Sequence, residues 1–239
     1  MYPYASYQLQ QYNDVQTAFG SVPRSTVDHF VTLGIYTFYD IYAAEAEILL
    51  AETKSNPFGF DSTKITLRYR WLDDIIGDYM SVVFGTSYIQ TVTKRRDDIS
   101  SFHHGNVEGE FHVSAGKEFS CGHFWYSRYW GLAAIGVADK GSPWLRGHLQ
   151  FDYNHFDLHR YGIFLQTLVG LGNQKLNLNQ PFHGYGPIHH QSVNVGVEYR
   201  YDSFCFGILE VEYKRRLFAR NFPEDVNLFK LTYTYPFGL

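Results

Sequence analysis

Apolar and polar residues alternate with a period of two along most of this chain, most clearly at its C-terminal end. In residues 227–239, Phe229, Leu231, Tyr233, Tyr235, Phe237 and Leu239 share one parity, and Lys230, Thr232, Thr234 and Pro236 the other. A period of two puts the two sets on opposite faces of a β-strand. Residues 64–71 set Ile65, Leu67, Tyr69 and Trp71 against Lys64, Thr66, Arg68 and Arg70. Residues 41–52, 107–115, 144–156 and 192–201 read the same way. Weaker alternation marks 2–11, 29–38, 79–90, 124–137, 161–172 and 206–217. The chain is therefore predicted to hold about twelve strands, many of ten or more residues, long enough to cross a bilayer at a tilt. Strands in soluble domains average about half that length.

The connections alternate as well. Short turns are expected near Asp40 and at 73–78, 117–123, 157–160 and 202–204. Longer loops are expected at 13–28, 53–63, 91–106, 174–189 and 218–226, with a short one at 139–143. An even strand number with short turns at one end and longer loops at the other is the pattern of a transmembrane barrel.

Alternation alone also fits a soluble sandwich or a lipocalin-like barrel, because it says only that one face is dry. Three features favour the membrane. The strands are long. Charges repeat on the polar face, as in Glu45 with Glu47, Arg68 with Arg70, and Glu210 with Glu212. Aromatic residues sit near strand ends, where interfacial girdles lie. Tyr and Phe number 20 each and, with 4 Trp, make up 18% of the chain, about twice the usual share. Mean hydropathy is only -0.27, and nothing approaches the ~20 apolar residues of a membrane helix. The expected architecture is all-β: one closed up-and-down antiparallel transmembrane β-barrel spanning residues 1–239.

The last ten residues, Lys230-Leu231-Thr232-Tyr233-Thr234-Tyr235-Pro236-Phe237-Gly238-Leu239, resemble the C-terminal signal of Gram-negative outer-membrane proteins. That signal usually ends in an aromatic residue; here Leu239 is last and Phe237 stands two positions before it. The resemblance implies residence in the bacterial outer membrane, contact with lipid and lipopolysaccharide, and recognition of the last strand by the insertion machinery. It names no particular porin-like family. No basic segment followed by an apolar run precedes Tyr2, so the sequence is expected to begin after removal of a leader, with Met1 an added residue.

If the dry face meets lipid, the charged face is sheltered inside. The residues expected to line the interior are Glu45, Glu47, Lys64, Arg68, Arg70, Glu108, Glu110, His112, Arg128, Arg146, His148, Asp152, Glu198, Arg200, Glu210, Glu212, Lys214, Arg216 and Lys230. Glu45 and Glu47 are expected to pair with Arg68 and Arg70, and the charges of 198–200 with those of 210–214. Twelve strands give a backbone diameter of roughly 25 Å, enough for a slender channel or for an interior filled by ion pairs. The leading function is a porin-like channel for passive diffusion of ions or small solutes. The alternatives are a structural or adhesive barrel with a salt-bridged interior and, behind it, a lipid-modifying hydrolase.

Net charge is -4, which gives no sign of nucleic-acid binding. His29, His103, His104, His183, His189 and His190 lie near the expected outer ends, and His190 shares a face with Ser192. Asp28 and His29 are neighbours, so they diverge. No nucleophile signature accompanies them, and no catalytic residue, cofactor or metal is expected; His189 with His190 is the best seed for a metal site. Basic residues in 93–98 are expected at a solvated loop tip, with lipopolysaccharide phosphate as their potential contact. Residues 174–189 are expected to form an ordered surface turn, with inward folding as a constriction or outward extension as a contact surface as the alternatives. Cys121 and Cys205 fall in short turns as idle thiols, with an internal disulfide or intermolecular cross-linking as alternatives.

Overall fold

The structure is a computed structural model that describes residues 1–121, 124–203 and 206–237. Its strands are β1 (Tyr2–Thr17), β2 (Gly20–Tyr39), β3 (Tyr42–Thr53), β4 (Asn56–Leu72), β5 (Ser81–Thr91), β6 (Val107–Cys121), β7 (Phe124–Ala138), β8 (Trp144–His155), β9 (His159–Gly170), β10 (Gln191–Ser203), β11 (Gly207–Arg220), β12 (Pro223–Glu224) and β13 (Asn227–Thr234). Every strand pairs antiparallel with its neighbours, and the sheet closes because β1 pairs with β2 on one side and β13 on the other. β12 is a two-residue lap over β1, so twelve strands build the wall. Closure removes the open edge that lipid could not satisfy.

The apolar parity faces outward. Ile65, Leu67 and Trp71 on β4, Leu149 and Phe151 on β8, Val195 and Val197 on β10, and Phe229 and Leu231 on β13 are all exposed. Thr66, His112, Asp152 and Asn154, on the other parity, are buried. A soluble fold would reverse this, since only lipid makes an apolar outer surface stable. Outward Tyr42, Tyr69, Trp71, Tyr153, Tyr161 and Tyr233 ring the short-turn end, where amphipathic rings suit the headgroup level.

Two expected loops are absent. Residues 13–28 and 53–63 belong mostly to strands, joined by two-residue turns at 18–19 and 54–55. β2 reaches 20 residues, about twice what a spanning strand needs. The excess stands beyond the membrane, where both faces are wet and alternation fades. Bulges at 12–14 and along the β3–β4 pair scramble the parity further. Cys205 and Leu239 lie outside the described residues, and Cys121 is exposed with a free thiol.

Candidate functional site: a lumen plugged at one end

Ion pairs run around the inner wall. Glu45 meets Arg68 at 2.6 Å and Glu47 meets Lys64 at 2.9 Å. Tyr4 bridges the two glutamates, with its hydroxyl 2.8 Å from Glu45 and 2.7 Å from Glu47. Arg146 reaches Glu110 at 2.5 Å and Arg128 reaches Asp152 at 2.7 Å. Arg160 lies 3.3 Å from Glu198 and 3.9 Å from Glu210, and Lys214 lies 3.4 Å from Glu212. Arg70 turns to Asp73 in the following turn, at 2.7 Å, and Arg200 pairs with Asp202 at 3.2 Å. Of the pairings the alternation suggested, only Glu45 with Arg68 forms among the described residues: Glu47 takes Lys64 and Glu198 takes Arg160, while Arg70, Arg200 and Lys214 each find a carboxylate two or three residues away in sequence. His148 Nε2 donates to Gln150 Oε1 at 2.9 Å, and Lys230 stands opposite Gln8 on β1 and Glu212 on β11. Arg160 was assigned to a turn by sequence pattern; it sits on β9, inside the barrel.

Most of these pairs share an asymmetry, which Arg160 with Glu210 and Arg200 with Asp202 reverse. The carboxylate lies against the wall and the cation reaches inward: Asp152 is fully buried while Arg128 keeps 33% of its side chain open, and Glu110 keeps 11% against 41% for Arg146. A short acid close to the backbone and a long base extending past it produce this layering.

Large rings lie flat on the wall where the facing strand has glycine. Tyr4 covers Gly34, His112 covers Gly85, Trp144 covers Gly136 and Phe164 covers Gly196, each pair directly opposite in register. Without a Cβ on the partner strand, a ring can lie along the backbone instead of projecting across the lumen.

The long-loop end is closed. Residues 92–106, 171–190 and 221–226 fold into the mouth and pack Ile99, Leu176, Tyr185, Ile188 and Phe222 against Tyr12 and Val15 of β1. This plug corrects the expectation for 93–98: the segment carries a short helix α1 (Thr93–Arg96), with Arg95 and Arg96 buried. Arg95 donates to the carbonyls of Ala51 at 2.6 Å and Pro57 at 2.7 Å, and Arg96 pairs with Asp97 at 2.6 Å. These guanidinium groups are committed inside the barrel and are not offered to lipopolysaccharide. Residues 174–189 likewise turn inward as part of the plug.

Polar side chains fasten the plug. His103 Nε2 lies 2.7 Å from Asp61 of β4, and Nδ1 lies 3.1 Å from the Thr91 hydroxyl and 3.6 Å from Glu108. Burial alone would lower the His103 pKa, but hydrogen bonds and charge from Asp61 and Glu108 outweigh it and push the pKa up to about 9. His104 stacks on Trp144 with centroids 3.9 Å apart. Its Nε2 lies 3.3 Å from that of His190. Burial, then repulsion from His104, pushes His190 down to about 3 against an opposing hydrogen bond to the Ile188 carbonyl.

The histidines expected near the outer ends take separate partners. Thr91, His103 and Asp61 stand in the order of a catalytic relay, with the imidazolium form of His103 favoured by Asp61 and Glu108. His190 bonds His104 and Ile188, leaving the buried Ser192 hydroxyl without a partner. His29 points outward to Tyr7 while Asp28 is buried beside Thr26. His183 is exposed near Asp97, and His189 turns to Gln191, away from His190. Among the described residues, no group of three His, Cys, Asp or Glu side chains is placed to hold a metal.

Asp61 and Tyr4 went unrecognised in the sequence because their partners lie 41 to 43 residues away.

Taken together, the closed twelve-strand sheet, dry exterior and charged interior define a transmembrane-type β-barrel. Its fold is similar to that of the "KdgM porin" (TM-score 0.58, 11% identity, covering 98% of this chain and 99% of that one). It is also similar to the NanC porin (TM-score 0.59, 7% identity, 97% and 100% covered). A third similar fold is the COG4313 outer membrane channel from Pseudomonas putida F1 (TM-score 0.62, 14% identity, 98% and 94% covered). No family model matches the chain, and no curated protein matches it in sequence.

Proposed function

We propose that this chain is a channel of the bacterial outer membrane for small solutes, closed at its outer mouth by the three-loop plug. One observation carries the reading. Lys64, Arg68, Arg128 and Arg146 face away from lipid yet keep 33 to 41% of their side chains open. Charges enclosed in protein are covered by their partners; these ends meet space that water fills. A water-filled interior lined with fixed charge is the physical basis of a selective pore, and the similarity in fold to porins supports it. In this reading the nineteen charged and histidine residues expected inside comprise pore lining, plug base and rim. The outward apolar band contacts acyl chains and lipopolysaccharide. β13 is the segment that insertion machinery engages.

A structural barrel is the competing reading, and the buried plug favours it. Planar-bilayer recording separates the two. The hydrogen bond from Thr91 N–H to the Asn106 carbonyl holds the ends of loop 92–106 together, so residues 93–105 can be replaced by a four-residue Gly-Ser linker. The channel reading expects brief current steps from the intact protein and sustained ones from the linker variant. No steps from either would leave the structural barrel.

A further inference from the structure

Beneath the plug, between β8, β9, β10 and β11, lies a cavity of about 280 Å³. Arg146, Lys214 and Arg216 line it with Gln166, Ser192 and Asn194; none of its lining side chains is acidic, while Glu110 and Glu212 pair with Arg146 and Lys214 from outside the lining. We infer that this cavity is a binding site for a small organic carboxylate. The inference names the solute class of the proposed channel and rests on that reading only for a role in transport.

Arg216 is the first argument. It is buried, and its Nε donates to Asn194 Oδ1 and its Nη1 to the Pro223 carbonyl, both at 3.0 Å. Its guanidinium lies 4.4 Å from the Phe222 ring and 5.2 Å from that of Phe102. Among the described residues it has no carboxylate partner, unlike Lys64, Arg68, Arg128 and Arg160 on the same wall. A guanidinium in that position is incompletely compensated, and the space beside it is open. Carboxylates suit it because the planar fork accepts them in bidentate geometry.

Ser192 is the second and independent argument. It is 1% exposed and its Oγ has no hydrogen-bond partner, although buried hydroxyls are almost always paired. A carboxylate between Arg216 and Lys214 would supply the missing acceptor. The remaining wall is mostly apolar, formed by Phe102, Leu168 and Phe222 with Gly147 and Thr167. That wall favours an acid with a hydrocarbon body over phosphate or sulfate, which would leave it facing a fully hydrated ion.

Titration calorimetry on the full-length protein in detergent at pH 7.5 tests the site, with pentanoate as the probe and pentanamide as its neutral isostere. Pentanoate should bind saturably, and pentanamide should bind at least about tenfold more weakly, since a charge-assisted pair is lost. Arg216→Gln should weaken pentanoate by a similar factor. Arg216 also touches plug residues, so Lys214→Met and Ser192→Ala provide variants whose folding does not depend on that contact; each should weaken pentanoate severalfold. Absence of saturable binding, equal binding of the amide, or unchanged affinity in both of these variants overturns the proposal. Calorimetry needs no current: protein that binds pentanoate but never conducts keeps the site and loses the channel. Protein that conducts but does not bind does the reverse.

Discussion

The ring of Phe164 on β9 lies across Gly196, its direct partner on β10, close enough that a Cβ at position 196 would collide with the ring. The contact lets an aromatic side chain face the lumen without obstructing it. Gly196→Ala should lower stability by about 1–3 kcal/mol, the usual cost of overpacking, read as a shifted denaturation midpoint in urea. Adding Phe164→Ala should recover part of that loss, because neighbouring substitutions are not additive. Full additivity would show that the ring and the glycine do not meet.

Proton binding should set the plug's alkaline limit. His103 has a pKa of about 9 in the plugged state, above its ordinary value near 6.5. The plugged state therefore gains stability from this proton. That gain is complete below about pH 6.5 and is lost as pH rises through 9. Open probability in bilayers should climb above pH 9. Asp61→Asn removes one support of the imidazolium and should move the rise to lower pH; an unmoved profile would dissociate His103 from closure.

The acid limit has the opposite sign. His190 is pushed down to about 3, so the plugged state resists a proton that a solvated imidazole accepts. Its advantage is complete above about pH 6.5 and shrinks as pH falls towards 3. His190→Phe removes that titration while filling the space beside Phe222. Its open probability between pH 3 and 6 should depend less on pH than that of the unaltered protein.

Arg95 tests the fastening of loop 92–106. Replacement by Met retains bulk but leaves the Ala51 and Pro57 carbonyls without their donor. An unsatisfied buried acceptor costs about 1–3 kcal/mol, enough to expose the segment intermittently. Trypsin should then cut after Lys94 or Arg96 faster than in the unaltered protein, where Arg96 is buried. Equal cleavage rates would mean that the apolar contacts alone hold the plug.

Recessed acids and projecting bases should give the lumen a preference for anions despite a net charge of -4. In a potassium chloride gradient the reversal potential should favour chloride. Glu110→Gln frees Arg146 of its partner and should increase the preference, and Arg146→Gln should reduce it. A cation-selective current unaffected by either change would contradict the layering.

Alternation from 64–71 and 227–234 was enough to place Leu67 and Leu231 outward and Lys64 and Lys230 inward, because adjacent side chains in a strand must face opposite media. Strand length, charges repeated on the polar face and aromatic residues near strand ends identified lipid as the medium of the apolar face, and the C-terminal resemblance pointed the same way. Ion pairs between adjacent strands, such as Glu45 with Arg68, were partly legible for the same local reason. Beyond the membrane the signal vanished: Asn13, Asp14 and Arg24 read as loop although they belong to strands, since water on both faces imposes no alternation.

The plug was decided by tertiary structure alone. Arg95 reaches Ala51 across 44 positions and His104 meets His190 across 86. No spacing in the sequence encodes contacts made between loops, and a short cationic segment has the same composition whether solvated or folded inward. Lipid and water fixed the wall through each residue's own chemistry; the closed mouth and the cavity beneath it exist only because distant segments were brought together by closure of the barrel.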